Sequence, residues 1–83
     1  YIFVNCNNHM IMKDSRNKIL ALNIKAERHR KDLSQFELAE KINVSEGTIS
    51  LIERGLQTPS VFLVYDIAKV LKININELFK GIK

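Results

Sequence analysis

The chain has 83 residues, 46% of them hydrophobic, a single cysteine and a formal net charge of +4. That length suits one folding unit and leaves little room for both a core and an enclosed active site, and the hydrophobic share excludes a disordered chain. No apolar run reaches the roughly 18 residues of a membrane span, and Tyr1-Ile2-Phe3-Val4 falls short of a signal-peptide core of about 7–15 residues. Cys6 alone cannot close an internal disulfide, so a reducing, cytoplasmic location is expected.

The charge is unevenly placed. Between residues 13 and 31, Lys13, Arg16, Lys18, Lys25, Arg28, Arg30 and Lys31 face only Asp14 and Glu27, a net +5, and the rest of the chain sums to −1. A basic face suits a polyanion, although a merely solvated helix has the same composition.

Residues 1–15 read as an N-terminal arm. A short β-like run passes into Asn5, Asn7 and Asn8, and His9-Met10 resembles the junction that a cloning vector leaves. The first nine or so residues are therefore expected to be vector-derived, with Met10 or Met12 as a natural start. An ordered arm is expected to dock on something. Cys6-x-x-His9 has a metal-like spacing, but zinc needs about four ligands and no second pair exists, so neither a metal nor a cofactor is expected.

From Ser15 onward the periodicity is helical, and residues 16–83 are expected to form the folded domain. Leu20, Ala21, Ile24 and Arg28 give a first helix over 16–31, its end crowded with cations as the helix dipole favours. Ser34-Gln35-Phe36-Glu37 is a capping box that opens a second helix, with Leu38 and Ile42 on one face. Asn43 stands where that helix must stop and tolerates the left-handed conformation. Ser45 caps a third helix over 45–54 with Ile49 and Ile52 on its inner side, and Gly55 ends it. Ser60 caps a fourth, where Val61, Val64, Ile67, Ala68 and Leu71 form the apolar stripe. Phe62, Tyr65 and Val70 lie off that stripe and suggest a cover, either the arm or a partner subunit. Asn74-Ile75-Asn76-Glu77 reads as a further cap and capping box, opening a fifth helix. The fold class is accordingly an all-α, compact five-helix bundle with an N-terminal arm.

Residues 34–55 then meet the physical requirements of a helix-turn-helix. Asn43 supplies the elbow, Ala39 leaves room for the crossing, and Leu38, Ile42, Val44, Ile49 and Ile52 form the shared core. The run Ser34-Gln35-x-Glu37-Leu38-Ala39-x-Lys41-x-x-Val44-Ser45-x-x-Thr48-Ile49-Ser50-x-Ile52-Glu53-Arg54-Gly55-x-x-x-Pro59-Ser60 resembles the Cro and phage-repressor (XRE-type) family of transcriptional regulators. The likeness runs from about residue 18 to residue 79, through Ile67-Ala68-Lys69-x-Leu71 and Asn74-x-x-Glu77-Leu78-Phe79.

The resemblance implies a sequence-specific binder of double-stranded DNA, with helix 45–54 in the major groove. It places Ser45, Glu46 and Gly47 at base edges, Leu51 near a thymine methyl, and Ser50 at a base or in solvent. Gln35 and Thr48 match phosphate positions, the lesser alternative for Gln35 being a solvent-facing first-turn residue. Arg54 binds phosphate or only neutralises the helix end; Arg30 and Lys31 are the remaining phosphate candidates. Arg28 and Glu53 match a partly buried ion pair between the first and third helices.

Two features run against tight binding by this segment alone. Segment 34–55 carries Lys41 and Arg54 against Glu37, Glu40, Glu46 and Glu53, a net −2. Gly47 offers no side chain and costs about 1 kcal/mol in a helix interior. Affinity is therefore expected to draw on the basic first helix and on a homodimer, paired around Leu78, Phe79 and Ile82, reading a palindromic operator. The alternative is an interaction module, antitoxin-like or coactivator-like, whose main partner is a protein and whose DNA binding is weak. No nucleophile–base pair or phosphate-cradling loop points to an enzyme.

Overall fold

The computed structural model describes residues 2–6, 9–13 and 15–82, the first two segments in their strand pairing. Strands β1 (Ile2–Cys6) and β2 (His9–Lys13) pair antiparallel, with Ile2 opposite Lys13 and Cys6 opposite His9. The β-like arm of the sequence is thus a hairpin. What its side chains dock on, and so the expectation that it covers the fourth helix, lies outside the described residues.

The body of the chain is helical: α1 (Ser15–Arg30), α2 (Gln35–Lys41), α3 (Glu46–Glu53), α4 (Val61–Leu71) and a 3-10 helix at Ile75–Phe79. Three helices begin as their caps dictate, with the hydroxyls of Ser34, Ser45 and Ser60 accepting from the backbone N–H of Glu37, Thr48 and Leu63. Only at Ser34 is the box reciprocal, the Glu37 carboxylate accepting from the Ser34 N–H at 2.9 Å.

All four α-helices end the same way. Asp32 (φ 59°), Asn43 (φ 59°), Gly55 (φ 74°) and Lys72 (φ 57°) adopt the left-handed conformation one or two residues past α1, α2, α3 and α4. The next residue then donates its N–H five positions back: Leu33 to Arg28 O, Val44 to Ala39 O, Leu56 to Leu51 O and Ile73 to Ala68 O, at 2.9–3.2 Å. This is the Schellman closure, with an apolar residue immediately after each left-handed turn. Leu33, Val44 and Ile73 use it to fold back against the core.

That core joins every helix: Leu20 and Ile24 from α1, Leu38 and Ala39 from α2, Ile49 and Ile52 from α3, Val64, Ile67, Ala68 and Leu71 from α4, and Leu78 from the 3-10 helix. Among the described residues no helix is long and apolar enough to cross a membrane.

Three expectations are corrected. The fifth helix is a 3-10 helix: Glu77 N–H bonds to Asn74 O three residues back, and Asn74 Oδ1 accepts from Asn76 N–H. Glu77 therefore closes no second capping box; its carboxylate holds Lys80 at 2.9 Å. Val61, assigned to the apolar stripe, is 78% exposed, whereas Val70, placed off it, packs against the core. Leu78, assigned to a subunit interface, is fully buried within its own protomer and has no surface to offer a second copy.

Candidate nucleic-acid interface

The turn between α2 and α3 sets the geometry. Ile42 closes α2, Asn43 reverses the chain, and Val44 N–H returns to Ala39 O at 3.0 Å, so that Ser45 can open α3. Leu38 and Ala39 face Ile49 and Ile52 across the crossing, all buried. With its inner side so committed, α3 leaves Glu46, Gly47, Leu51 and Arg54 exposed and Ser50 half-buried. Thr48 is half-buried, its hydroxyl 2.8 Å from that of Ser45.

Behind this edge lies a polar network. Arg28 Nε donates to Glu53 Oε2 at 2.7 Å and Arg28 Nη2 to Glu53 Oε1 at 2.9 Å, while Arg28 Nη1 donates to Leu33 O at 2.6 Å. The side chains of Arg28 and Glu53 are 6% and 1% exposed. A bidentate guanidinium–carboxylate pair is among the stronger polar contacts, and burial makes both partners dependent on it. The network has a fourth member, because Gln35 Nε2 donates to Glu53 Oε1 at 3.1 Å. One carboxylate at the end of α3 thus gathers donors from α1 and from the first residue of α2.

Nothing in residue periodicity announces the Gln35 contact. The two residues stand on different helices, and only the turn geometry makes them neighbours. Two further ties also escape sequence reasoning. Asn17 Nδ2 donates to Gly55 O at 3.2 Å, joining α1 to the turn after α3, and Asn23 Nδ2 donates to Leu78 O and Lys80 O at 2.9 and 2.8 Å. Asparagine inside a helix has low propensity, and that departure was the available signal.

The basic residues of α1 do not all join this surface. Arg30 pairs with Glu27 at 3.2 Å, and both line a groove with Lys31, Ile73, Asn74, Glu77 and Lys80. No residue of α2 or α3 lines that groove, so the structure groups Arg30 and Lys31 with the C-terminal segment. Carboxylates near the α2 and α3 N-termini are placed where the helix dipole favours them. Bonds from the Ser34 backbone and hydroxyl hold the Glu37 carboxyl below its ordinary range, and Lys80 does the same for Glu77.

At the other end of the bundle Phe79 is exposed and Ile82 half-buried; both border an apolar groove with Leu20 and Thr58. Phe62 and Tyr65 are exposed on α4 beside Val61.

The family described as helix-turn-helix matches residues 24–78. An uncharacterised HTH-type transcriptional regulator of Archaeoglobus fulgidus is 38% identical over 56 residues, which cover 68% of this chain and 79% of the relative. Another, from Methanocaldococcus jannaschii, is 42% identical over 48 residues, covering 58% and 73%. Among solved structures, SinR, the master regulator for biofilm formation, in complex with DNA, superimposes with a TM-score of 0.68 at 37% identity, covering 74% of this chain and 98% of that one. The restriction-modification controller protein C.AhdI from Aeromonas hydrophila gives 0.76 at 26% identity, covering 80% and 100%.

Proposed function

The chain belongs to the helix-turn-helix family, and from that membership we propose that it is a transcriptional regulator that binds double-stranded DNA with α3 in the major groove. The observation that carries this reading is the outward edge of α3, whose inner side is locked by Ile49, Ile52 and the buried Glu53. A helix so braced presents its first turn at a fixed angle, as base readout requires.

In this reading Ser45, Glu46, Gly47, Ser50 and Leu51 face base edges. Glu46 is suited to accept from cytosine N4, Leu51 to touch a thymine methyl, and Gly47 to let the helix approach closely. Gln35, Thr48 and Arg54 contact phosphate, aided by the α2 N-terminal amides. Arg30 and Lys31, engaged beside Glu27 and Glu77, add to the positive field of α1 rather than to a fixed contact.

With a net −2 on residues 34–55, one module alone binds weakly. Two copies would engage a palindromic site with half-sites about 34–36 Å apart. We assign the pairing surface to Phe79 and Ile82 together with Val61, which borders an apolar groove with Phe79, and the exposed Phe62 and Tyr65 of α4.

The test is titration against duplex from the protein's own promoter and against random duplex at several salt concentrations. Specific binding is expected to exceed non-specific by at least about a thousandfold, with a log–log salt slope of several phosphates. Equal, weak affinity for both duplexes would sink the proposal.

A further inference from the structure

The chain has three glycines, and the backbone explains two of them. Gly55 (φ 74°) and Gly81 (φ 85°) take the left-handed conformation that a side chain disfavours. Gly47 does not: it lies inside α3, in its first turn, without a positive φ. Beyond its chain neighbours and the helix backbone, a Cβ placed there would meet only Ser45 Oγ within 4 Å, at 3.8 Å, an ordinary van der Waals contact. Alanine would fit that space and favour the helix, so nothing among the described residues asks for glycine. The position is exposed, on the outward edge of α3.

The missing side chain leaves a notch with one apolar wall. Leu51 stands one turn further along the same face of α3 and is 38% exposed. Helical side chains lean toward the N-terminus and cover the turn before their own Cα, which sets Leu51 over the turn that holds Gly47. The Ser45 hydroxyl on the other flank is taken up by the cap. It accepts from Thr48 N–H at 3.1 Å and shares a 2.8 Å bond with the Thr48 hydroxyl. The notch therefore offers carbon surface and the depth of one absent methyl group.

We propose that Gly47 is a specificity-determining residue, its notch and the Leu51 wall together forming a socket for the C5-methyl group of a pyrimidine in the major groove. The proposal rests on the reading of α3 as the base-reading helix. Thymine carries that methyl group on its groove edge, and 5-methylcytosine carries the same group. Uracil and unmodified cytosine keep the hydrogen-bonding groups of these bases but leave the socket empty. A Cβ at position 47 fills the socket and pushes the methyl group out. Gly47 thus discriminates by shape, without a side chain, at a position where the helix by itself would be more stable with alanine.

The test pairs Gly47→Ala with a promoter duplex in which uracil replaces every thymine, so that the C5-methyl groups go and every hydrogen-bonding group stays. The wild type is expected to bind the uracil duplex about fourfold more weakly, the contribution of one buried methyl group. Gly47→Ala is expected to lose at least about fivefold on the thymine duplex, as an overfilled site does. It should recover on the uracil duplex and so reverse the preference, because its own methyl group takes the socket. Methyl groups read elsewhere on the site affect both proteins alike and cancel in the comparison. Where the socket takes 5-methylcytosine, the same reversal appears between unmodified and cytosine-methylated duplexes instead. The free variant should melt about 4–8 °C above the wild type, which separates a loss on DNA from a loss of folding. A variant with the wild type's ratio of affinities in both pairs of duplexes would overturn the proposal. So would a variant that melts below the wild type, since the fold would then need the glycine. A wild type without preference for its promoter over random duplex defeats the reading of α3 together with the socket, whereas a preference that stands while the ratios agree defeats the socket alone.

Discussion

Arg28 and Glu53 meet between α1 and α3 through two hydrogen bonds of 2.7 and 2.9 Å, with almost no solvent at either side chain. Such a pair is a poor source of net stability, since each ion gives up its hydration to form it. Losing one partner is a different matter. Glu53→Ala or Arg28→Ala leaves an uncompensated buried charge and is expected to cost about 3–5 kcal/mol, a large share of the roughly 5–15 kcal/mol that domains possess. The double variant Arg28→Met with Glu53→Leu removes both charges and keeps volume, and should fall close to the wild type. Urea denaturation of the three proteins checks this; a double variant as unstable as either single one would contradict it. The double variant should nevertheless bind DNA poorly, because apolar contact fixes the angle of α3 less sharply than a forked ion pair.

The left-handed helix ends allow a comparison within one molecule. Asn43 and Lys72 share nearly the same φ, 59° and 57°, each one step before a 6→1 hydrogen bond. Asparagine is at ease there and lysine is not, at a cost of roughly 1–2 kcal/mol for a residue with an ordinary Cβ. Lys72→Gly is therefore expected to raise the melting temperature by a few degrees, about 4–8 °C per kcal/mol for a domain of this size. Asn43→Gly should be near neutral, and Asn43→Val should lower it by at least that much. Thermal melts followed by circular dichroism give all three values, and a destabilised Lys72→Gly would refute the assignment of strain.

These turns also mark how far the sequence could be read. The serine caps, the Asn43 elbow, Gly55 and the buried Leu38, Ile49 and Ile52 follow from side-chain chemistry at short range, and all were legible. Lys72 was not, because lysine has no side-chain reason to adopt a positive φ, and Asp32, though of a type that visits it, stands in no local pattern that marks the turn. The apolar residue that follows each of them, Leu33 and Ile73, draws the chain into the turn by packing on the core. The same limit applies at the candidate site. The resemblance pointed to Arg28 and Glu53, but the bond from Gln35 depends on the crossing of α2 and α3, which no local pattern encodes. The 3-10 helix reads as an α-helix for the converse reason: its residues have helical chemistry, but its caps, Asn74 and Lys80, bracket only five of them.

The capping box makes a prediction in pH. Hydrogen bonds from the Ser34 backbone and hydroxyl depress the Glu37 carboxyl, which is otherwise exposed. Because the folded group ionises below its unfolded counterpart, its contribution is present in full above the ordinary glutamate range and is lost as pH falls through the depressed folded value. Ser34→Ala should return the Glu37 titration toward the ordinary range and destabilise the protein by about 1 kcal/mol, the usual loss for such a cap. Carboxyl chemical shifts followed across an acid titration provide the check. Glu77, depressed by Lys80, should respond to Lys80→Ala in the same sense while Glu37 stays fixed.

The last prediction concerns how two modules come together. Phe62 is 80% exposed on α4, and Phe79 is exposed at the border of a groove lined by Leu20, Thr58 and Ile82. Leu78, buried beside it, holds the 3-10 helix in place and is not itself available. If the exposed pair belongs to the proposed pairing surface, Phe62→Ser with Phe79→Ser should weaken self-association by at least about tenfold, since each ring removes roughly 1.5–3 kcal/mol of apolar burial. Sedimentation at tens of micromolar should then show a monomer, against the dimer expected of the wild type. Leu78→Ala should act differently, lowering the stability of the protomer by about 2–5 kcal/mol through the cavity it leaves. Promoter affinity in the double serine variant should fall toward that of a single module, while affinity for an isolated half-site stays unchanged. A wild type that sediments as a monomer across this range, yet binds its promoter tightly, would remove pairing from the mechanism and leave α3 to act alone.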